Sequence, residues 1–245
     1  MFINKCAVMA QCAQIAYLDG AEAKKQYKKL GYTRHKFIEH DGAQLHIIGN
    51  KEENVLCFRG TEPGEFSDIK ADLNALPDKA QNGSGLVHNG FQEEVNKVWD
   101  QVSAFTNSSK IEDKKLFICG HSLGGAMATI ACSRLQGKVD ALFTYGSPRT
   151  GTRKFVNSIT TPHYRHVNNN DMVTCLPSAL LGYRHNSTPR YINYYGNIRA
   201  CTKWQRVKDK WRGRWRALKK GMPFDGAYDH GINHYCKYTK ENDDD

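Results

Sequence analysis

Ser122 stands in the run Gly120-His121-Ser122-Leu123-Gly124, with an apolar stretch, "LFIC", before it and an alanine-rich stretch, "AMATIA", close behind. A hydroxyl in that setting is either a small residue in a tight turn or a nucleophile projected from a sharp strand-to-helix turn, where flanking glycines let backbones approach closely. A helix starting there would aim unpaired N–H groups and a positive dipole end at an oxyanion forming beside the serine. Such a hydroxyl needs a base to take its proton, and the base needs a carboxylate to orient it. Asp171 fits the acid: it ends the strand-like "YRHVNNN" and leads into "MVTCLP", although an asparagine-aspartate turn would read the same way. Asp209, Asp225 and Asp229 lack a strand leading into them. Three histidines follow Asp171. His185 comes soon after the acid and runs into a strand, which suits a structural role. His230 and His234 are one helical turn apart; His230, after "FDGAYD", lies on a loop able to reach the serine, whereas His234 falls in the last predicted helix.

The elements that must carry these residues alternate along the chain. Residues 2–18 and "AEAKKQYKKL" read as helices, and "AQLHIIG" and "NVLCFRG" as strands. A long Gly-, Pro-, Asn-, Asp- and Ser-rich stretch over 62–90 reads as loop, with a short helix at "FSDIKADLNAL". The helical period of Phe91, Val95, Val98, Val102 and Phe105 leads to the strand "KKLFICG". Helix 123–136, strand "DALFTYGS", helix "RKFVNSI", strand "HYRHVNN" and strand "RYINYYG" follow. This alternation predicts an α/β fold with a central, mostly parallel sheet flanked by helices. His163 and His166 fall on opposite faces of one strand, so they are read as structural rather than metal-binding, and no metal constellation is assigned.

At 245 residues, with 40% hydrophobic and 24% charged content, the chain is expected to form a single domain over 1–245. No apolar run reaches membrane-span length. Cys6, Cys12, Cys57, Cys119, Cys132, Cys175, Cys201 and Cys236 are scattered singly, several inside apolar runs, as small buried hydrophobes would be. With no cationic leader ahead of a continuous apolar stretch, no signal peptide is recognisable. Synthesis in a reducing cytoplasm is expected, with peripheral membrane association or signal-independent export left open.

Taken together, "FRGTE", "DIKADL", "VHNGF", "GHSLGGAMA", "TYGSPRTG", "HVNNNDMVTCLP", "GYRH" and "DHGINHY", in this order, resemble the class 3 lipase family of α/β-hydrolases from about Ala10 onward. The resemblance implies an α/β-hydrolase fold, with Ser122 as nucleophile, Asp171 as acid and His230 as base. The family's histidine stands five positions before a tyrosine, which selects His230 over His234. It also implies that Thr61 and the Leu123 N–H form the oxyanion hole. In the family the segment after that threonine can form a lid, and a surface loop with no gating role is the alternative. Here the segment "EPGEFSDIKADLNALP" is short and polar, unlike the apolar lids suited to opening onto oil.

The net charge of +10 is concentrated at one place: residues 199–220 hold ten basic residues and one acid. In this insertion, read as helical over about 199–222 and without a recognised family counterpart, Trp204, Val207, Trp211, Trp215, Leu218 and Met222 recur at helical spacing between the cations. One expectation is that the stripe packs on the body with its charges solvated; the other is that Trp204, Trp211 and Trp215 meet an anionic membrane surface through residues 199–220. Nucleic acid is not favoured, no cofactor is called for, and the sequence leaves the oligomeric state unknown. The expected function is hydrolysis of carboxylic esters of glycerolipids, phospholipids foremost, through an acyl-enzyme. A soluble short-chain carboxylesterase and, in another class, an inactive membrane- or partner-binding module remain as alternatives.

Overall fold

The computed structural model describes residues 2–61, 76–108, 113–219 and 225–242. The expected short helix at 66–76 and the lid segment fall almost wholly outside these residues. Parallel strands β3 (Glu53–Phe58), β6 (Lys115–His121), β7 (Ala141–Tyr145), β9 (His163–Asn168) and β11 (Arg190–Ile192) form the middle of an eight-stranded sheet. Antiparallel β1 (Arg34–His40) and β2 (Ala43–Gly49) extend it beyond β3, and antiparallel β12 (Ile198–Arg199) closes the other edge. A smaller sheet joins β4 (Pro77–Lys79), β5 (Leu86–His88), β8 (Gly151–Thr152) and β10 (Tyr183–Arg184).

The central strands are buried on both faces, and their side chains divide between two cores by simple alternation. Leu116 and Ile118 of β6 join Leu56, Phe58 and Leu142 under helices α3 (Asn89–Thr106) and α4 (Leu123–Arg134), a core that also takes in Phe155 and Val156 of α5 (Arg153–Ser158). Phe117 and Cys119 point the other way, into a core with Val55, Cys57 and Phe143 under α1 (Cys6–Ile15) and α2 (Gly20–Lys29). Each fully buried Leu or Phe contributes about 1.5–3 kcal/mol, which fixes the register of β6 and with it the place where Ser122 emerges. Cys6, Cys12, Cys57, Cys119 and Cys132 are buried, as their apolar settings predict.

Three boundaries differ from expectation. Strand β1 was not legible because it is an edge strand with one buried residue, Ile38. The stretch 77–88, read as loop, contains the two short strands β4 and β5. The segment "RYINYYG" stays extended only as far as Ile192 before turning back at Asn193–Gly196 into β12.

The basic insertion is a helix, α6 (Lys203–Lys219), beginning after β12 rather than at Arg199. Its tryptophan stripe does not pack on the body: Trp204, Trp211 and Trp215 are 66%, 69% and 58% exposed. The opposite face docks instead. Asp209, 8% exposed, accepts from Asn169 Nδ2 at 2.8 Å, the Tyr191 hydroxyl at 3.0 Å and the Tyr194 N–H at 2.9 Å. One turn on, Gly213 lies so close to Asn169 and Asn170 that a Cβ would stand 2.7 Å from both side chains. Arg212 and Arg216 lie over the rings of Tyr195 and Tyr194 at 5.7 and 5.2 Å. Replacing Asp209 by Ala strands two buried donors and the half-buried Tyr194 N–H, so urea unfolding is expected to show a loss of about 2–4 kcal/mol. A change under about 0.5 kcal/mol would mean that this carboxylate does not anchor the helix.

Candidate active site

Ser122 is the residue between β6 and α4, with φ 56° and ψ −130°. That left-handed φ is strained for a non-glycine residue and turns the side chain out of the sheet. The turn is held by the Ser122 N–H, which donates to the Tyr145 carbonyl at 3.0 Å. A Cβ at Gly120 would collide with the Gly124 carbonyl, and one at Gly124 with the carbonyl of Phe58, so both glycines of the motif answer to backbone contact.

His230 comes from the short link between α7 (Asp225–Tyr228) and α8 (Ile232–Glu241). Its Nε2 is 2.8 Å from Ser122 Oγ, and its Nδ1 is 3.0 Å from each oxygen of Asp171. Ionised Asp171 only accepts, so Nδ1 carries the proton and Nε2 is left to receive one from the serine. All three groups are buried. Asp171, just past β9, also accepts from the Val173 N–H at 2.9 Å and from the Tyr235 hydroxyl at 2.5 Å. The Tyr235 oxygen in turn accepts from the Asn168 N–H at 3.0 Å. The histidine link is tied to the acid loop twice more: Asn168 Nδ2 donates to the Asp229 carbonyl, and the Asn170 N–H to the Asp229 carboxylate, at 2.9 and 3.0 Å.

His121, the residue inside the serine motif, supplies a support that sequence reasoning missed. Its ring lies 4.6 Å from that of His230, and its Nε2 is 2.7 Å from the His230 carbonyl. Burial, reinforced by the neighbouring His230, drives its pKa well below the ordinary histidine value, so it is neutral. Because a carbonyl only accepts, the proton sits on Nε2, leaving Nδ1 to accept from the Tyr17 hydroxyl at 2.7 Å. Tyr17, just beyond α1, is thereby connected to the backbone of His230. In the sequence Tyr235 is no more than a spacing marker; its hydrogen bond to Asp171 gives that spacing a physical basis.

Gly60 passes close over the serine: a Cβ there would lie 3.3 Å from that of Ser122. Thr61 follows it, half-buried, and Leu123, also half-buried, takes the first position of α4, where the N–H precedes the helical hydrogen-bond ladder. His185 is structural, bonded through Nε2 to the Thr174 carbonyl at 2.9 Å. His163 bonds Thr144 and Asn186, and His166 stacks on Tyr145. His234 packs within α8 against Tyr228 and Tyr238. Among the described residues no group of three or more His, Cys, Asp or Glu is arranged to hold a metal ion, and no helix is long and apolar enough to cross a membrane.

The family model "Lipase (class 3)" matches residues 55–181. The chain belongs to the class 3 lipases. The match takes in Thr61, Ser122 and Asp171 and ends before His230. Relatives of this class 3 lipase chain include the Vibrio cholerae protein named "Toxin TseL", 34% identical over 168 residues, which cover 65% of this chain and 25% of that protein. The "Secreted mono- and diacylglycerol lipase 1" of Fusarium solani is 40% identical over 162 residues, 63% of this chain and 46% of that one. The chain thus spans from a quarter to about half the length of these relatives. Lipase II from Rhizopus niveus superposes with a TM-score of 0.63 at 22% identity, covering 77% of this chain and 80% of that one. A fungal lipase described as having an unusual buried polar cluster gives 0.65 at 24% identity, covering 78% of each chain. At that identity the likeness establishes the α/β-hydrolase fold.

Proposed function

We propose that this chain hydrolyses carboxylic esters of glycerolipids through an acyl-enzyme on Ser122. The observation that carries this reading is the 2.8 Å approach of His230 Nε2 to Ser122 Oγ, with Nδ1 held by Asp171. As Oγ attacks the ester carbonyl, His230 takes its proton and Asp171 stabilises the imidazolium. Thr61 and the Leu123 N–H hold the oxyanion. His230 then protonates the leaving alcohol, and the same ring deprotonates the water that releases the fatty acid. A relative named as a mono- and diacylglycerol lipase supports glycerol esters as the substrate class.

Phospholipid at an anionic surface is the substrate form that we favour within that class. Its support is α6, which presents Trp204, Trp211 and Trp215 to solvent among exposed cations, the composition suited to the headgroup region. The test is fatty-acid release from vesicles of neutral, zwitterionic or anionic lipid at low and high salt. Release is expected from phospholipid, falling with salt. Changing the three tryptophans to serine is expected to weaken vesicle binding at least about tenfold while hydrolysis of a short soluble ester is unchanged. Cleavage of soluble esters with no release from any vesicle would replace this reading with a soluble esterase, and activity on neither would leave a binding module.

A further inference from the structure

Beneath the first half of α6 lies an open pocket of about 290 Å³ whose lining includes Arg149, Arg165, Lys203, Arg206 and Lys210. They come from three places: the segment after β7, strand β9 and α6. Among the described residues none of the five pairs with a carboxylate. Asp209, on the same helix, is engaged by Asn169, Tyr191 and Tyr194.

The two arginines of the body are fixed by neutral carbonyls. Arg165, 6% exposed, donates through Nε and Nη2 to the Ser187 carbonyl, both at 3.1 Å. Arg149 Nη1 donates to the carbonyls of Cys175 and Pro177. Their charges are therefore positioned but not compensated, and burial together with Arg206 pushes the Arg165 pKa down to about 9. A buried guanidinium without a counter-charge is costly, and an anion accepting from several of these groups would offset that cost. Planar guanidinium forks from the body, lining one pocket with a guanidinium and two ammonium-bearing side chains of the helix, suit an anion with acceptors on all sides.

We propose that this pocket binds a phosphate group, held between Arg149 and Arg165 of the body and Lys203, Arg206 and Lys210 of α6. A lipid headgroup and the free ion are two sources of that same chemistry. The site is separate from Ser122 and does not depend on the ester-hydrolase reading. Its occupant would clamp α6 to the 175–177 segment that Arg149 holds, a few residues beyond Asp171.

The test uses the full chain as its Ser122→Ala variant, so that no lipid is turned over. Inorganic phosphate is titrated calorimetrically, alone and with phosphatidylcholine vesicles with or without phosphatidic acid. Arg206→Gln/Lys210→Gln, at half-buried positions whose loss leaves the core intact, is expected to weaken phosphate binding at least about tenfold. The charge-matched control on the exposed face of the same helix is Lys208→Gln/Arg214→Gln, which is expected to change phosphate affinity less than about twofold. Displacement of phosphate by phosphatidic acid vesicles identifies the headgroup as the source; phosphate binding that they leave untouched identifies the free ion, and either sustains the site. The proposal is overturned if neither probe distinguishes the pocket variant from the parent, or if the control loses as much as the pocket variant.

Discussion

Ester hydrolysis by the Ser122→Ala chain is expected to fall by about a millionfold in kcat, the largest effect of any single substitution. The size follows from how the three groups act. Without Oγ there is no atom to form the acyl-enzyme, and His230 and Asp171 have nothing to activate; losses in such a unit do not add. Ser122→Ala/His230→Ala is therefore expected to be no worse than Ser122→Ala alone. Asp171→Asn is expected to cost about ten-thousandfold, because an amide tolerates the wrong imidazole tautomer where a carboxylate imposes the right one. Initial rates on a short-chain nitrophenyl ester measure all three. A loss below about tenfold in Ser122→Ala would remove this serine from the chemistry.

Folding stability is expected to drop between about pH 7 and pH 5, above the range in which carboxylates titrate. His46, His163 and His166 have pKa values pushed down to about 3, in each case chiefly by burial, and His121 and His185 are driven well below the ordinary value for the same reason. Above about pH 6.5 these imidazoles are neutral in both states and contribute no pH dependence. As the pH falls below that value, the unfolded chain binds protons that the folded chain refuses. Each histidine then removes about 1.4 kcal/mol per pH unit until the folded value is reached. The three with values near 3 together imply a loss of about 3–4 kcal/mol by about pH 5.5. Urea midpoints at about pH 7.5, 6.5 and 5.5 test this, and a midpoint unchanged over that range would refute it. His166→Phe, which keeps the ring stacked on Tyr145, is expected to make the dependence shallower.

The parts of the site that the sequence disclosed are those set by local geometry. A serine between glycines at a strand-to-helix junction, an aspartate just past a strand and a histidine in a short link are each decided within a few residues. His121 was illegible because its role depends on partners distant in sequence, Tyr17 and the His230 carbonyl, which only the folded sheet brings together. The α6 stripe was legible as a stripe and not as a direction. Periodicity separates the two faces of a helix, and an apolar face ordinarily turns inward. Here Asp209 and Gly213 make the inward face, because Asn169 and Tyr191 offer hydrogen bonds that a tryptophan could not answer. The same limit applies to β1, whose single buried residue leaves almost no alternation to detect.

Asn169, Asn170 and Asp171 are consecutive, yet they serve two neighbours: the first two grip α6 and the third holds His230. The helix is therefore not a detachable accessory. Excising residues 203–219 to make a minimal hydrolase would leave that asparagine pair facing water and loosen the turn from which the acid projects. Transplanting the helix onto another lipase would fail for the mirror-image reason unless the asparagines travelled with it. The unit to exchange between proteins is the helix with its asparagine seat, two segments separated in sequence and inherited as one part.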